Sequence, residues 1–104
     1  MGEREIFFGD VFTHTSNKTK VIIDLGGVLG QGFGTSTLLE DGSLGLCGTD
    51  TVDEIVKITG RMTVSQVFQA ADKGMQRMGD DGLSEHQIGI LQREAARGSR
   101  VIHF

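Results

Sequence analysis

Up to Gly60 the apolar positions come in short β-branched and aromatic runs separated by Gly, Asn and Asp; after it they recur every three or four residues. The first pattern predicts strands joined by turns, the second helices. Residues 6–14 make one strand candidate, SNKT at 16–19 a polar turn, and KVIIDL at 20–25 a second strand whose Val and Ile cluster suits a central position. Asp41-Gly42, between apolar segments, predicts a type I′ hairpin turn. Pairing Glu40 with Ser43 then sets Leu39 opposite Leu44 and Thr37 opposite Leu46, with Glu40, Ser43 and Gly45 on the wet face. Residues 51–59 carry two signals: Thr51 and Glu54 have capping-box spacing, while Ile55, Val56 and Ile58 favour a strand, which is the preferred reading.

The helical half is more explicit. Thr63 with Gln66, and Ser84 with Gln87, form capping boxes, flanked by the staple pairs Met62 with Val67 and Leu83 with Ile88. Val64, Val67, Phe68, Ala71, Met75 and Met78 make the apolar stripe of the first helix, which Gly79 ends; Leu91 and Ala95 continue that of the second, which Gly98 ends. The short GDDG connection predicts an antiparallel helical hairpin, and the final RVIHF has strand character. The fold class is therefore α+β in one domain, 1–104, mainly β over 1–60 and mainly α over 61–104. It reads as a small antiparallel sheet or SH3-like partial barrel, followed by the hairpin and a C-terminal strand. FFGDVFTH is similar, in pattern alone, to the glycine-punctuated strands that open SH3-like barrels.

Composition narrows the functions. A chain of 104 residues with 38% hydrophobic and 23% charged residues is enough for one modest core, and no apolar run approaches the roughly 20 residues needed to cross a bilayer. MGEREIFFGD lacks the basic start and apolar stretch of a secretion signal, so the expected compartment is the cytoplasm. The net charge of −4 is uneven: residues 1–60 carry four Lys and Arg against nine Asp and Glu, residues 61–104 six against five. That distribution argues against a general polyanion binder, because non-specific nucleic-acid affinity sums phosphate contacts. The lone Cys47 excludes an internal disulfide and reads as a structural thiol rather than a nucleophile.

The most distinctive stretch is GGVLGQGFGTST at 26–37. It has no Lys-Ser/Thr after its glycines, and Gly30, Gly32 and Gly34 alternate ahead of a β-prone segment, so it fails both the phosphate-loop and the dinucleotide patterns. It reads as a structural loop, with Val28, Leu29 and Phe33 as exposed apolar anchors on its tip; the alternative is a nucleotide-like anion held by Gly30, Gly32, Gly34, Thr35 and Ser36. His14, His86 and His103 lack metal-ligand spacing, and a site built from them would need coincidence in space. Asp50, Asp53 and Glu54 lack the ligand count and glycine placement of a calcium loop. Lys73 with Arg77 and Arg93 with Arg97 lie toward helix C-termini, where cations complement the dipole; with Arg100 they form the face of a second alternative, a nucleic-acid module.

No catalytic constellation, cofactor fingerprint or metal spacing emerges. The sequence points to a non-enzymatic acidic binding protein that occupies a surface of a larger macromolecule, an inhibitor or adaptor of the kind phages and mobile elements carry. A protein is the expected partner, met by Val28, Leu29 and Phe33 and by the acidic set Glu40, Asp41, Asp50, Asp53 and Glu54. No cofactor, metal or membrane is expected.

Overall fold

Strands precede helices, as expected. The structure, a computed structural model, describes residues 2–26 and 32–103. Its elements are β1 (Glu3–Phe7), β2 (Asp10–His14), β3 (Thr19–Asp24), β4 (Phe33–Leu38), β5 (Leu44–Asp50), a 3-10 turn (Val52–Glu54), β6 (Ile55–Arg61), α1 (Val64–Arg77), α2 (Glu85–Arg97) and β7 (Ser99–His103). Five strands form an antiparallel sheet in the order β5-β4-β3-β2-β6, and β1 pairs with β7 in a separate ribbon. A four-strand meander whose fifth strand, reached through a 3-10 turn, returns to pair with the first is an SH3-like partial barrel. Its seam, between β5 and β6, stays open among the described residues. The helical hairpin covers the sheet, α1 against β5 and α2 against β3. Among the described residues no helix is long and apolar enough to cross a membrane.

The strand expected over 6–14 is two strands. Gly9 has φ 89°, and the Asp10 carboxylate accepts from the Phe7 amide at 3.0 Å, so the chain turns there and changes sheets. The C-terminal strand consequently pairs with β1 instead of extending the larger sheet. In residues 51–59 both competing signals are realised in succession: the Thr51–Glu54 box caps the 3-10 turn and the strand starts at Ile55.

The 39–43 hairpin also departs from expectation. Only Gly42, at φ 86°, is left-handed there; the Gly42 amide donates to the Leu39 carbonyl and the Leu39 amide to the Ser43 carbonyl, each at 2.9 Å. This is a three-residue loop ending in a glycine bulge, not a type I′ turn. The Asp41 carboxylate fixes it by accepting from the Ser43 amide and hydroxyl. Leu38 therefore stands opposite Leu44 and Ser36 opposite Cys47, with a further register shift between them. As a result Ser43 is buried and Leu46 is 80% exposed, the reverse of the expected facing.

The core has two faces. Phe12, Ile22 and Phe33 fill the barrel side, where the Phe12 and Phe33 rings meet edge to face with centroids 6.2 Å apart. Val21 alternates to the other side, toward the helical hairpin, which contributes Val67, Ala70 and Leu91 to the core. Each large apolar side chain so buried stabilises the fold by about 1.5–3 kcal/mol. Both capping boxes form. The first helix is rotated from its expected stripe: Val64 and Met78 are exposed, and Val67, Ala70 and Gly74 face inward. Small residues win because α1 lies directly on β5, where a Cβ at Gly74 would collide with the Leu44 carbonyl. Glu94, also buried, ties α2 to the end of β3 by accepting from the Leu25 amide at 2.9 Å.

Candidate functional site

Two features stand out, on opposite faces of the sheet. The first is polar. β2 ends at His14, β5 ends at Asp50, and the 3-10 turn ends at Glu54, so strand pairing and a one-turn helix bring three distant residues together. The His14 Nε2 lies 2.9 Å from Glu54 Oε2 and 3.2 Å from Asp50 Oδ1. On the far side of the ring, Nδ1 accepts from the Ser16 amide at 3.0 Å and meets Ser16 Oγ at 2.7 Å. Nδ1 is therefore the bare nitrogen, and the ring proton sits on Nε2 between the two carboxylates. Asp50 Oδ2 accepts from Thr35 Oγ1 at 2.5 Å and from Lys20 Nζ at 3.1 Å.

Burial pushes the Asp50 carboxyl up, but the hydrogen bonds from Thr35 and Lys20 and the charge of Lys20 outweigh it and hold the group below its usual value. Glu54 is held low by the Thr51 amide first and then by His14. Hydroxyl, imidazole and carboxylate follow one another here as in a hydrolytic relay. Ser16, however, is exposed in a tight turn two residues from His14, and the apolar pocket lies on the opposite face.

The second feature is the free edge of β5. Among the described residues this strand pairs with β4 alone. From Leu44 to Thr49 it carries no charge, and Leu46 and Cys47 are exposed on it. Cys47, read from sequence as a structural thiol, stands beside Ser36 with Oγ and Sγ 3.1 Å apart. Next to the edge, beneath the helical hairpin, is a half-open cavity of about 190 Å³ walled by Leu44, Cys47, Met75, Met78 and Leu91. The expected acidic residues bracket this strand: Glu40 and Asp41 at its start, Asp50, Asp53 and Glu54 at and beyond its end. Asp41 is held low by the Ser43 hydroxyl and amide.

The glycine stretch is placed differently from the sequence reading. Val28, Leu29 and Gly30 lie outside the described residues. Phe33 is fully buried on β4, so it is a core residue and not an exposed anchor. A Cβ at Gly32 would press on Thr49 and one at Gly34 on Asp24, so these glycines let neighbouring strands approach. Thr35 and Ser36 direct their hydroxyls to Asp50 and Cys47.

The basic residues mostly serve the fold. Lys73 donates to the Asp41 carbonyl, Arg97 pairs with Glu94 at 3.3 Å, and Arg100 donates to the carbonyls of Leu25 and Gly26 at 2.6 and 2.8 Å. Arg77 and Arg93 are exposed. Sequence reasoning missed Ser16, Lys20 and the role of His14, which share no local motif with Asp50. The one available signal was alternation along β2, which sends His14 to the same face as Phe12. Compared with known proteins, the chain matches no family model, no curated protein and no solved structure.

Proposed function

We propose that the protein is a binding module without catalytic activity, which receives an extended segment of a partner protein along β5. The observation that carries this reading is the bare edge itself: a seven-residue strand with exposed Leu46 and no charge up to Thr49, opening beside an apolar cavity. An edge strand offers unpaired amides and carbonyls in strand geometry, which another strand satisfies best. Main-chain pairing supplies affinity, and one apolar side chain of the segment seated between Cys47, Met75 and Met78 supplies selectivity. Glu40 and Asp41 at one end and Asp53 at the other favour a segment with basic residues flanking an apolar centre.

Selection from a displayed library of extended peptides tests this. The expected winners carry an apolar centre with Lys or Arg on both sides, shift the amide resonances of residues 44–49, and slow hydrogen exchange there. Winners that perturb α2 or β6 and leave β5 unchanged would sink the proposal, as would a selection that enriches nothing. A second copy of the chain as the occupant would appear instead as a concentration-dependent dimer with the same β5 protection.

A further inference from the structure

We propose that His14, Asp50 and Glu54 are the protein ligands of a divalent transition cation, zinc by ligand class, which clips the open seam of the barrel. This is independent of what binds β5. One ligand atom from each residue lies within 4.8 Å of the other two. The observed separations of 2.9 and 3.2 Å from Nε2 to the two carboxylates come close to the roughly 3.3 Å expected between neighbouring ligands around a tetrahedral zinc. One imidazole and two carboxylates suit zinc better than calcium, which takes six or more oxygens.

The outer atoms of the three side chains provide a second, separate observation. Asp50 Oδ2 is held by Thr35 and Lys20, Glu54 Oε1 accepts from the Thr51 amide at 3.0 Å, and His14 Nδ1 meets Ser16. Each side chain is thus oriented by its far atom, leaving Nε2, Oδ1 and Oε2 directed at one another, the arrangement that outer-shell partners impose on metal ligands. Those inward atoms are short of donors. Glu54 Oε2 and Asp50 Oδ1 share one Nε2 proton, and among the described residues the only other donor to either is Lys20, 3.5 Å from Oδ1. Two carboxylates facing each other across one proton repel, and a cation relieves that repulsion directly.

Binding requires one rearrangement. Nε2 must give up its proton to coordinate, so the neutral ring becomes protonated on Nδ1 and donates to Ser16 Oγ, already 2.7 Å away. The Ser16 amide turns to water, which its exposed turn permits. The Lys20 ammonium lowers the affinity without taking a ligand atom. Three protein ligands leave a fourth position, open to water on the side of the partly exposed Glu54. The ion would join the end of β2 to the end of β5 and to the turn leading into β6, β5 and β6 being the two strands that flank the seam.

The test titrates the metal-free full chain with zinc chloride, following heat, melting temperature and the nitrogen resonances of His14. The expected result is a one-to-one complex, a higher melting temperature, and movement of the His14 proton from Nε2 to Nδ1. Glu54→Gln should lose the complex with its circular dichroism unchanged, because the amide still accepts from Thr51. The triple variant Cys47→Ser, His86→Ala, His103→Ala should keep it. The assignment is overturned if His14 retains its Nε2 proton at saturating zinc, if binding survives Glu54→Gln, or if binding disappears in the triple variant. The histidine readout comes from the unmutated protein, so the conclusion does not depend on any variant folding.

Discussion

At one edge of the five-stranded sheet β6 carries Lys57 near its middle and Arg61 at its end; at the other edge β5 carries no charge from Leu44 to Thr49. The Arg61 guanidinium pairs with Asp10 at 2.8 Å and lies 3.7 Å above the Phe7 ring, and two register shifts interrupt the β6 ladder against β2. Basic side chains and irregular pairing are the means by which proteins keep an edge from recruiting foreign strands. β5 has one register shift, near its start, where α1 also covers it through Gly74, and from Cys47 to Asp50 it runs regularly against β4. In one small sheet a guarded edge and a bare edge stand side by side. The bare edge is also the one beside an apolar cavity, and this pairing of features makes β5 the surface to test.

The largest effect bearing on this contrast should come from the support beneath β5. Phe33, on β4 opposite Asp50, is fully buried, so Phe33→Ala should cost about 3–5 kcal/mol in urea unfolding. Amide exchange should then rise earlier in residues 44–50 than in 55–61. A cost below about 1 kcal/mol would mean that β5 is held by the helices instead.

Next in size is the anchor at the end of β5. Asp50→Asn leaves Lys20 and Thr35 without their carboxylate and should cost about 1–3 kcal/mol at neutral pH. The folded carboxyl lies below its unfolded value, near 4, so its contribution is full above that value and is lost as pH falls through the folded one. The protein should therefore lose stability in acid more steeply than Asp50→Asn, as denaturant midpoints between pH 5 and pH 2 will show. Parallel slopes would remove Asp50 as the acid-sensitive anchor.

The smallest change in stability should come from the exposed edges themselves. Leu46→Lys and Val56→Lys each place a charge at an exposed position and should move unfolding by no more than about 0.5 kcal/mol. Their effects on peptide binding should differ: Leu46→Lys abolishes it, and Val56→Lys leaves it intact. Equal losses would dissolve the distinction between the two edges.

Local chemistry determined much of this protein before any tertiary contact. The capping boxes at Thr63 and Ser84, the stops at Gly79 and Gly98, and the change from strand to helix near Gly60 all rest on residues within one turn of each other, so they are legible in sequence. What required the fold were matters of register and convergence. A glycine bulge at Gly42 shifted the hairpin and exchanged the environments of Ser43 and Leu46. The turn at Gly9 sent β1 to β7. The close contact at Gly74 rotated α1, and the path of β4 buried Phe33. His14, Asp50 and Glu54 are separated by up to forty positions and share no spacing that chemistry requires. Only the pairing of β2 with β6, and the turn that links β6 to β5, makes them neighbours, because side-chain chemistry acts over a few ångströms of space and a sequence records only distance along the chain.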